Sequence, residues 1–164
     1  MIQLVKGNLL ESDCYYICHQ VNCQGRMGSG IAKQIREKWP VVYQNYMAKC
    51  NFEHKDYIRP ELLLGDIQIV GLWEDFEKDT NHQAVINMFS QYNYGYDGKR
   101  YTSYDAFWGC LGLIKEAIPK GRKIGFPYGI GCCLGGANWE VIYTMIKEVL
   151  GQDYDVYIYF YEEK

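Results

Sequence analysis

The chain has 164 residues, of which 48% are hydrophobic and 23% are charged, and its formal net charge is -3. This length fits a single domain over residues 1–164, and the composition supports a buried core and excludes a disordered chain. The acidic balance and the absence of a basic stripe argue against general nucleic-acid binding. No apolar run in the sequence is long enough to cross a bilayer, so we expect no membrane partner. We also expect a monomer.

The seven cysteines are expected to be reduced thiols of a cytoplasmic protein. Their number is odd, no C-x-x-C pair is present and no signal peptide opens the chain. Cys18, His19 and Cys23 lie close together, but their spacing matches no common zinc framework. We therefore expect neither a metal nor a cofactor.

The first part of the chain predicts two strands and then two helices. The segment "IQLVKGNLL" begins as a short strand, and "YYICHQVN" has the continuous apolar pattern of a strand buried on both faces. A helix is predicted from Gly30 to Lys38, and Trp39-Pro40 ends it. The segment "VVYQNYMAKC" is predicted to form a second helix.

Strands and helices continue to alternate beyond residue 60. The segments "LLLGDIQIVGLW" and "QAVINMFSQ" are predicted strands, and "SYDAFWGCLGLIKEAI" is a predicted helix capped by Thr102 or Ser103.

Three more elements close the chain. They are the strand "KIGFP", a helix capped by Asn138 and ending at Gly151, and the strand "YDVYIYFY". The alternation predicts an α/β domain whose largely parallel sheet is covered by helices.

Two predicted strands run into glycine-rich loops, "CQGRMGSG" and "YGIGCCLGG". In open α/β sheets, ligands bind beyond the carboxyl ends of strands, and glycines with free N–H groups favour phosphate there. We expect the two loops to clamp a diphosphate, the alternative being that they are simple tight turns. Both lack the G-x-G-x-x-G pattern of dinucleotide sites, and the chain has no P-loop.

The segments "KGNLLES", "HQVNCQGRMGSGIAKQI" and "FPYGIGCCLGGANWEVI" resemble, in this order, the macro domain family of ADP-ribose-binding proteins. The resemblance covers nearly the whole chain. It implies a three-layer α/β/α fold with a mixed, largely parallel central sheet of about six strands. It also implies ADP-ribose or its 1''-phosphate as the small-molecule ligand.

The resemblance also implies which residues contact that ligand. Asn8 and Leu9 would lie near adenine, and Asn22 would contact the distal ribose. The residues implied to line the diphosphate and its opposite wall, together with one residue after the fourth strand, are Gly28, Ser29, Gly30, Ile31, Gly129, Ile130, Gly131, Cys132, Cys133 and Gln91.

Within the family, the chain looks closest to the branch of ADP-ribose-1''-phosphate phosphatases and ADP-ribosyl hydrolases. Hydrolases acting on glutamate or DNA esters use a lysine where this chain reads Ser90-Gln91, and an aspartate at about Gly135. We therefore expect no lysine–aspartate mechanism. His19, in contrast, matches a histidine of the phosphatase members.

His19 is the expected acid–base residue, with Asn22 and Asp105 completing the predicted catalytic set. Histidine suits proton transfer near neutral pH, and His19 lies three residues before Asn22 at the end of its strand. The alternative is that His19 satisfies a buried carbonyl and Asp105 only favours a helix N-terminus. The leading hypothesis is removal of phosphate from ADP-ribose-1''-phosphate. The alternatives are a non-catalytic ADP-ribose reader and a hydrolase of O-acetyl-ADP-ribose or ADP-ribosylated macromolecules.

Other reactive or aromatic residues lead to weaker expectations. The tyrosines of residues 92–96 could stack on adenine, cover the site or pack within their loop. A thiol mechanism at Cys132 or Cys133 is disfavoured, because no histidine is tied to them by the sequence. His54 and His82 are expected at the surface.

Overall fold

A computed structural model describes residues 1–53, 60–73 and 82–161 of the chain. His54, which we expected at the surface, lies outside these residues. The described residues form six strands, four α-helices and two short 3-10 helices. In chain order, the strands and α-helices are β1 (Ile2–Lys6), β2 (Tyr16–Asn22), α1 (Gly30–Lys38), α2 (Pro40–Glu53), β3 (Ile67–Gly71), β4 (Ala84–Gln91), α3 (Tyr104–Ala117), β5 (Lys123–Pro127), α4 (Trp139–Leu150) and β6 (Asp155–Phe160).

The strands form one sheet in the order β1-β6-β5-β2-β4-β3. All neighbouring pairs are parallel except the edge pair β3–β4. One hydrophobic cluster fills the face under α3 and α4, and a second fills the face under α1 and α2. The predicted three-layer fold with a mixed, largely parallel sheet of six strands is confirmed.

The sheet opens between its two central strands, β2 and β5. In the described part of the chain, these strands pair only at Tyr16↔Ile124 and Ile17↔Gly125. Strand β2 goes on pairing with β4 as far as Asn22. The parting of β2 from β5 opens a crevice at their carboxyl ends, where an open α/β sheet binds its ligands.

The predicted strand "LLLGDIQIVGLW" is too long at its start. Its first three leucines fall in or beside the 3-10 helix Pro60–Leu63, and β3 begins only at Ile67. Gly65 adopts a φ of 92°, and Asp66 Oδ1 accepts a hydrogen bond from Ile67 N at 2.8 Å. This turn separates the first three leucines from β3, although the sequence pattern predicts one continuous strand.

The predicted caps agree with the structure. Ser103, and not Thr102, accepts the cap hydrogen bond of α3, from Ala106 N at 3.1 Å. Asn138 accepts from Glu140 N at 2.9 Å and begins α4.

The prediction that His82 lies at the surface is wrong. Its side chain is buried, with its ring nitrogens 2.7 Å from the Cys14 carbonyl oxygen and 3.1 Å from that of Leu10. Its ring also meets Trp39 edge-on at 5.4 Å. The polar residues that precede His82 in the sequence do not reveal that the carbonyl groups of Cys14 and Leu10 contact its ring.

Candidate functional site

A cavity of about 540 Å³ lies at the carboxyl ends of β2 and β5. Two glycine loops face each other across it: the first loop, residues 25–32 including the start of α1, and the second loop, residues 127–136. The lining residues of these two loops are 25–32, 127–131 and 133–135, and residues 94–96 join them from a third segment. The predicted clamp between two glycine loops is therefore present as a cavity.

The first loop is organised by the side chain of Asn22. Its Oδ1 accepts from Gln24 N at 3.0 Å and from Arg26 N at 3.3 Å, and its Nδ2 donates to the Arg26 carbonyl at 2.8 Å. The buried Tyr46 hydroxyl donates to the Asn22 carbonyl at 2.7 Å. Asn22 lines the cavity, but its amide group is also a fixed part of the loop's framework.

The first loop leads into helix α1, whose first-turn residues Gly30, Ile31 and Ala32 line the cavity. N–H groups in the first turn of a helix have no acceptor within the helix. Ser29 occupies the N-cap position, yet its side chain makes no cap hydrogen bond. The amides of this turn can therefore bind an anion.

The second loop turns sharply at two glycines whose backbone conformation other residues rarely adopt. Gly129 and Gly131 have φ values of 74° and 77°, in the left-handed region that favours glycine. The Thr102 hydroxyl donates to the Gly131 carbonyl at 2.8 Å and holds the loop in place.

A network of neutral side chains lies between the loops. The Ser90 hydroxyl donates to Gln20 Oε1 at 2.7 Å. Gln20 Nε2 donates to Gln91 Oε1 and to Thr102 Oγ1, both at 2.8 Å. Ser90 and Gln91 stand where the hydrolases that act on glutamate or DNA esters have a lysine, and both belong to this uncharged network.

Gly135 has no room for a side chain beside this network. A Cβ at this position would lie 2.5 Å from both Thr102 Oγ1 and the Gly131 carbonyl oxygen. An aspartate therefore cannot occupy position 135 without displacing the second loop.

The prediction that His19 reaches the distal part of the ligand is wrong in this structure. Side chains alternate along a strand, so Gln20 faces the cavity while His19 faces the opposite side of the sheet. His19 is fully buried, and its Nε2 lies 2.5 Å from Asn87 Oδ1. Burial lowers the pKa of His19 to about 4, so the ring is neutral at pH 7.

Asp105 is also not part of the cavity lining. It is exposed on the first turn of α3 and lies in a separate shallow depression with Arg100 and Tyr104. The predicted pair of His19 and Asp105 is not formed, because His19 faces Asn87 instead.

Of the remaining predicted ligand residues, most line the cavity and three do not. Asn8 caps a 3-10 helix by accepting from Leu10 N at 3.0 Å, and Leu9 is buried in the core. Cys132 does not line the cavity, and burial raises the pKa of its thiol to about 11, which argues against a thiolate nucleophile. The predicted residues that do line the cavity are Asn22, Gly28, Ser29, Gly30, Ile31, Gln91, Gly129, Ile130, Gly131 and Cys133, and their contact with a ligand stays a prediction.

Several lining residues were not foreseen from the sequence. Gln20 could have been found, because it precedes Asn22 by two positions on a strand and so shares its face. Arg36 and Tyr43 reach the cavity from α1 and α2, with the Arg36 guanidinium 3.9 Å above the Tyr43 ring. Only the packing of these helices brings that pair to the site, so no local pattern marks it.

The segment of tyrosines 92–96 is hydrogen-bonded to the residues just before the first loop. Cys23 N donates to the Tyr92 carbonyl at 3.1 Å, and Gln24 Nε2 donates to the same carbonyl at 3.0 Å. Tyr94 and Tyr96 line the cavity, so this segment forms part of its wall.

Among the described residues, no group of three His, Cys, Asp or Glu side chains is placed to hold a metal ion. Across residues 1–53, 60–73 and 82–161, no helix has both the length and the apolar character that a membrane crossing requires.

No family model matches the chain. A DNA ADP-ribosyl glycohydrolase of Mycobacterium tuberculosis is 26% identical over 167 residues, covering 97% of this chain and 42% of the relative. An ADP-ribose 1''-phosphate phosphatase of Scheffersomyces stipitis is 37% identical over 76 residues, covering 43% of this chain and 42% of the relative. The chain thus spans about two fifths of the length of these curated relatives.

Solved structures resemble the whole described fold. The macrodomain of Mycobacterium tuberculosis DarG has a TM-score of 0.75 at 22% identity, covering 97% of both chains. Thermosipho africanus DarTG, solved in complex with ADP-ribose, has a TM-score of 0.74 at 21% identity, covering 98% of this chain and 41% of that one. At these identities the likeness shows the fold. The chain therefore has the macrodomain fold that the resemblance of its sequence implied.

Proposed function

We propose that the cavity binds ADP-ribose. The observation that carries this proposal is the pair of opposed glycine loops, one ending in the uncapped first turn of α1 and the other turning at Gly129 and Gly131. Their main-chain amides suit a diphosphate, and about 540 Å³ is within the usual size range of small-molecule sites. The ADP-ribose complex of the similar DarTG structure adds support.

Binding is tested by titration calorimetry with ADP-ribose on the wild type and two variants. Ser29→Asp places a carboxylate in the first loop while keeping a good N-cap residue, so we expect it to weaken binding at least ~10-fold by repelling the diphosphate. Gln34→Glu adds the same charge on the exposed face of α1, outside the lining, and should stay within about two-fold of the wild type. Absence of saturable binding to the wild type would overturn the proposal.

We further propose that the ligand is processed as ADP-ribose-1''-phosphate. The specific observation that favours this activity is the lining itself, which holds no lysine and no carboxylate among the described residues. Gly135 has no room for an aspartate, so the hydrolysis that depends on a lysine–aspartate pair lacks both parts. The partial match to a 1''-phosphate phosphatase supports the same choice.

In the proposed reaction, water attacks the phosphorus of the 1''-phosphate. The bond from phosphorus to the C1'' oxygen breaks, inorganic phosphate leaves, and the C1'' oxygen takes up a proton from the attacking water to become a hydroxyl group. Loop amides other than those that contact the diphosphate would stabilise the charge that develops on the phosphoryl oxygens, which is commonly the largest contribution to such catalysis. His19 would support β2 beside Asn87 and take no direct part.

Turnover is tested by supplying ADP-ribose-1''-phosphate and measuring inorganic phosphate. We expect release by the wild type and no more than a few-fold loss in His19→Asn, because the ring does not face the cavity. Binding of ADP-ribose without phosphate release would identify a reader instead. Parallel assays with O-acetyl-ADP-ribose and with ADP-ribosylated protein and DNA would reveal the remaining alternatives.

A further inference from the structure

The main chain of Arg26 is held more firmly than an ordinary loop residue. Its N–H and carbonyl both bond to the side chain of Asn22, at 3.3 and 2.8 Å, and its N–H also lies 3.1 Å from the buried Tyr46 hydroxyl. The position from which the Arg26 side chain projects is therefore fixed by two residues of the core.

The side chain of Arg26 is exposed and lines the cavity. In the part of the chain that the structure describes, its guanidinium has no acidic partner. The lining contains two arginines, Arg26 and Arg36, and no acidic residue, although acidic residues outnumber basic ones by 20 to 17 in the whole chain. This local excess of positive charge favours the binding of an anion.

The diphosphate of ADP-ribose already has the amides of both glycine loops. Arg26 precedes that amide cluster and is bonded to Asn22, so it belongs to the end of the cavity where Asn22 lies. The Arg36 guanidinium stacks on the Tyr43 ring at 3.9 Å, so it contributes positive charge to the cavity while it is held by that ring. Arg26 is thus the better placed of the two for a separate anion.

We propose that Arg26 is a specificity-determining residue that binds a phosphate carried on the distal ribose. The inference rests on the proposed function and on the contact of Asn22 with the distal ribose that the sequence resemblance implies. A guanidinium suits this task, because its fork of N–H donors matches two phosphate oxygens at once. The site would then prefer ADP-ribose-1''-phosphate to ADP-ribose.

The test is the affinity ratio of the two ligands, measured by calorimetry at one salt concentration. We expect Arg26→Gln to weaken binding of ADP-ribose-1''-phosphate by about 10- to 100-fold and binding of ADP-ribose by less than about three-fold. Arg26→Lys keeps the charge but loses the fork, and should fall between Arg26→Gln and the wild type. Where the phosphate is hydrolysed during the titration, the calorimetric affinity for ADP-ribose-1''-phosphate is replaced by the KM from initial rates of phosphate release.

Lys33→Gln is the matched control. Lys33 is exposed on the first turn of α1 and does not line the cavity, so its loss removes the same charge without a proposed contact. It should change neither affinity by more than about two-fold. An equal loss of both ligands in Arg26→Gln, or the same selective loss in Lys33→Gln, would overturn the role of Arg26 while leaving ADP-ribose binding intact. Failure of the wild type to bind either ligand would instead reject the proposed function.

Discussion

His19 illustrates how one residue's place in a strand decides its chemistry. The ring is buried beside Asn87, and its Nδ1 has no hydrogen-bond partner among the described residues. A proton on this ring would have to be held away from water, which is why its pKa is lowered to about 4. His19 is therefore neutral over the pH range in which most enzymes work.

The buried histidine should make the protein sensitive to acid. The pKa of His19 is about 4 in the folded state and near 6.5 when exposed on unfolding. The unfolded chain therefore takes up the proton first, and stability is lost as the pH falls from about 6.5 towards 4. Chemical denaturation at pH 7 and pH 4 should show that the wild type loses about 2–3 kcal/mol more than His19→Asn. Equal losses in both proteins would contradict the neutral, buried ring.

At the scale of elements, the second loop depends on small residues packed against Thr102. Gly131 and Gly135 both approach Thr102 closely, while Thr102 N donates to the Gly135 carbonyl at 3.0 Å. The loop and the start of α3 are thus one packed unit, and the shape of the cavity depends on that packing.

Gly135→Ala should disturb this unit. Its Cβ would lie 2.5 Å from Thr102 Oγ1, so we expect a loss of about 1–3 kcal/mol of stability and weaker ADP-ribose binding. Gly112→Ala is the control, because that glycine lies in α3 with open space around its Cβ position. It should be neutral or stabilise by up to about 1 kcal/mol. Denaturant unfolding measures the stability of both variants, and equal stability of Gly135→Ala and Gly112→Ala would contradict the packing described.

The elements were more predictable from the sequence than the site was. Helices α1, α3 and α4 follow from local periodicity and from caps such as Ser103 and Asn138, and these signals lie within each segment. The two glycine loops were predictable for the same reason. The positions of His19 on β2 and Asp105 on α3 were not, because which face of an element meets the cavity is fixed by neighbouring strands and helices.

For the molecule as a whole, the reactivity of the cysteine thiols can be used to follow the opening of the native state. Cys133 is exposed and lines the cavity, while Cys132 is partly covered. The buried thiols are Cys14, Cys18, Cys23, Cys50 and Cys110.

A thiol reagent should therefore modify Cys133 quickly in the native protein and the buried thiols only upon unfolding. Absorbance at the reagent's chromophore would follow both phases, and Cys133→Ser should remove the fast one. Saturating ADP-ribose should slow the fast phase, because the ligand would cover Cys133. Rapid modification of the buried thiols in native buffer would contradict the closed core.

The glycine loops have a consequence for how this protein can change over time. A ligand held mainly by main-chain amides restricts the backbone conformation at positions such as Gly129 and Gly131, and it leaves most neighbouring side chains free to vary. Substitutions around the loops can then accumulate without loss of binding, while side chains at the rim, such as Arg26, adjust what else the ligand carries. Divergence in such a lineage would first change the substrate and only later the fold.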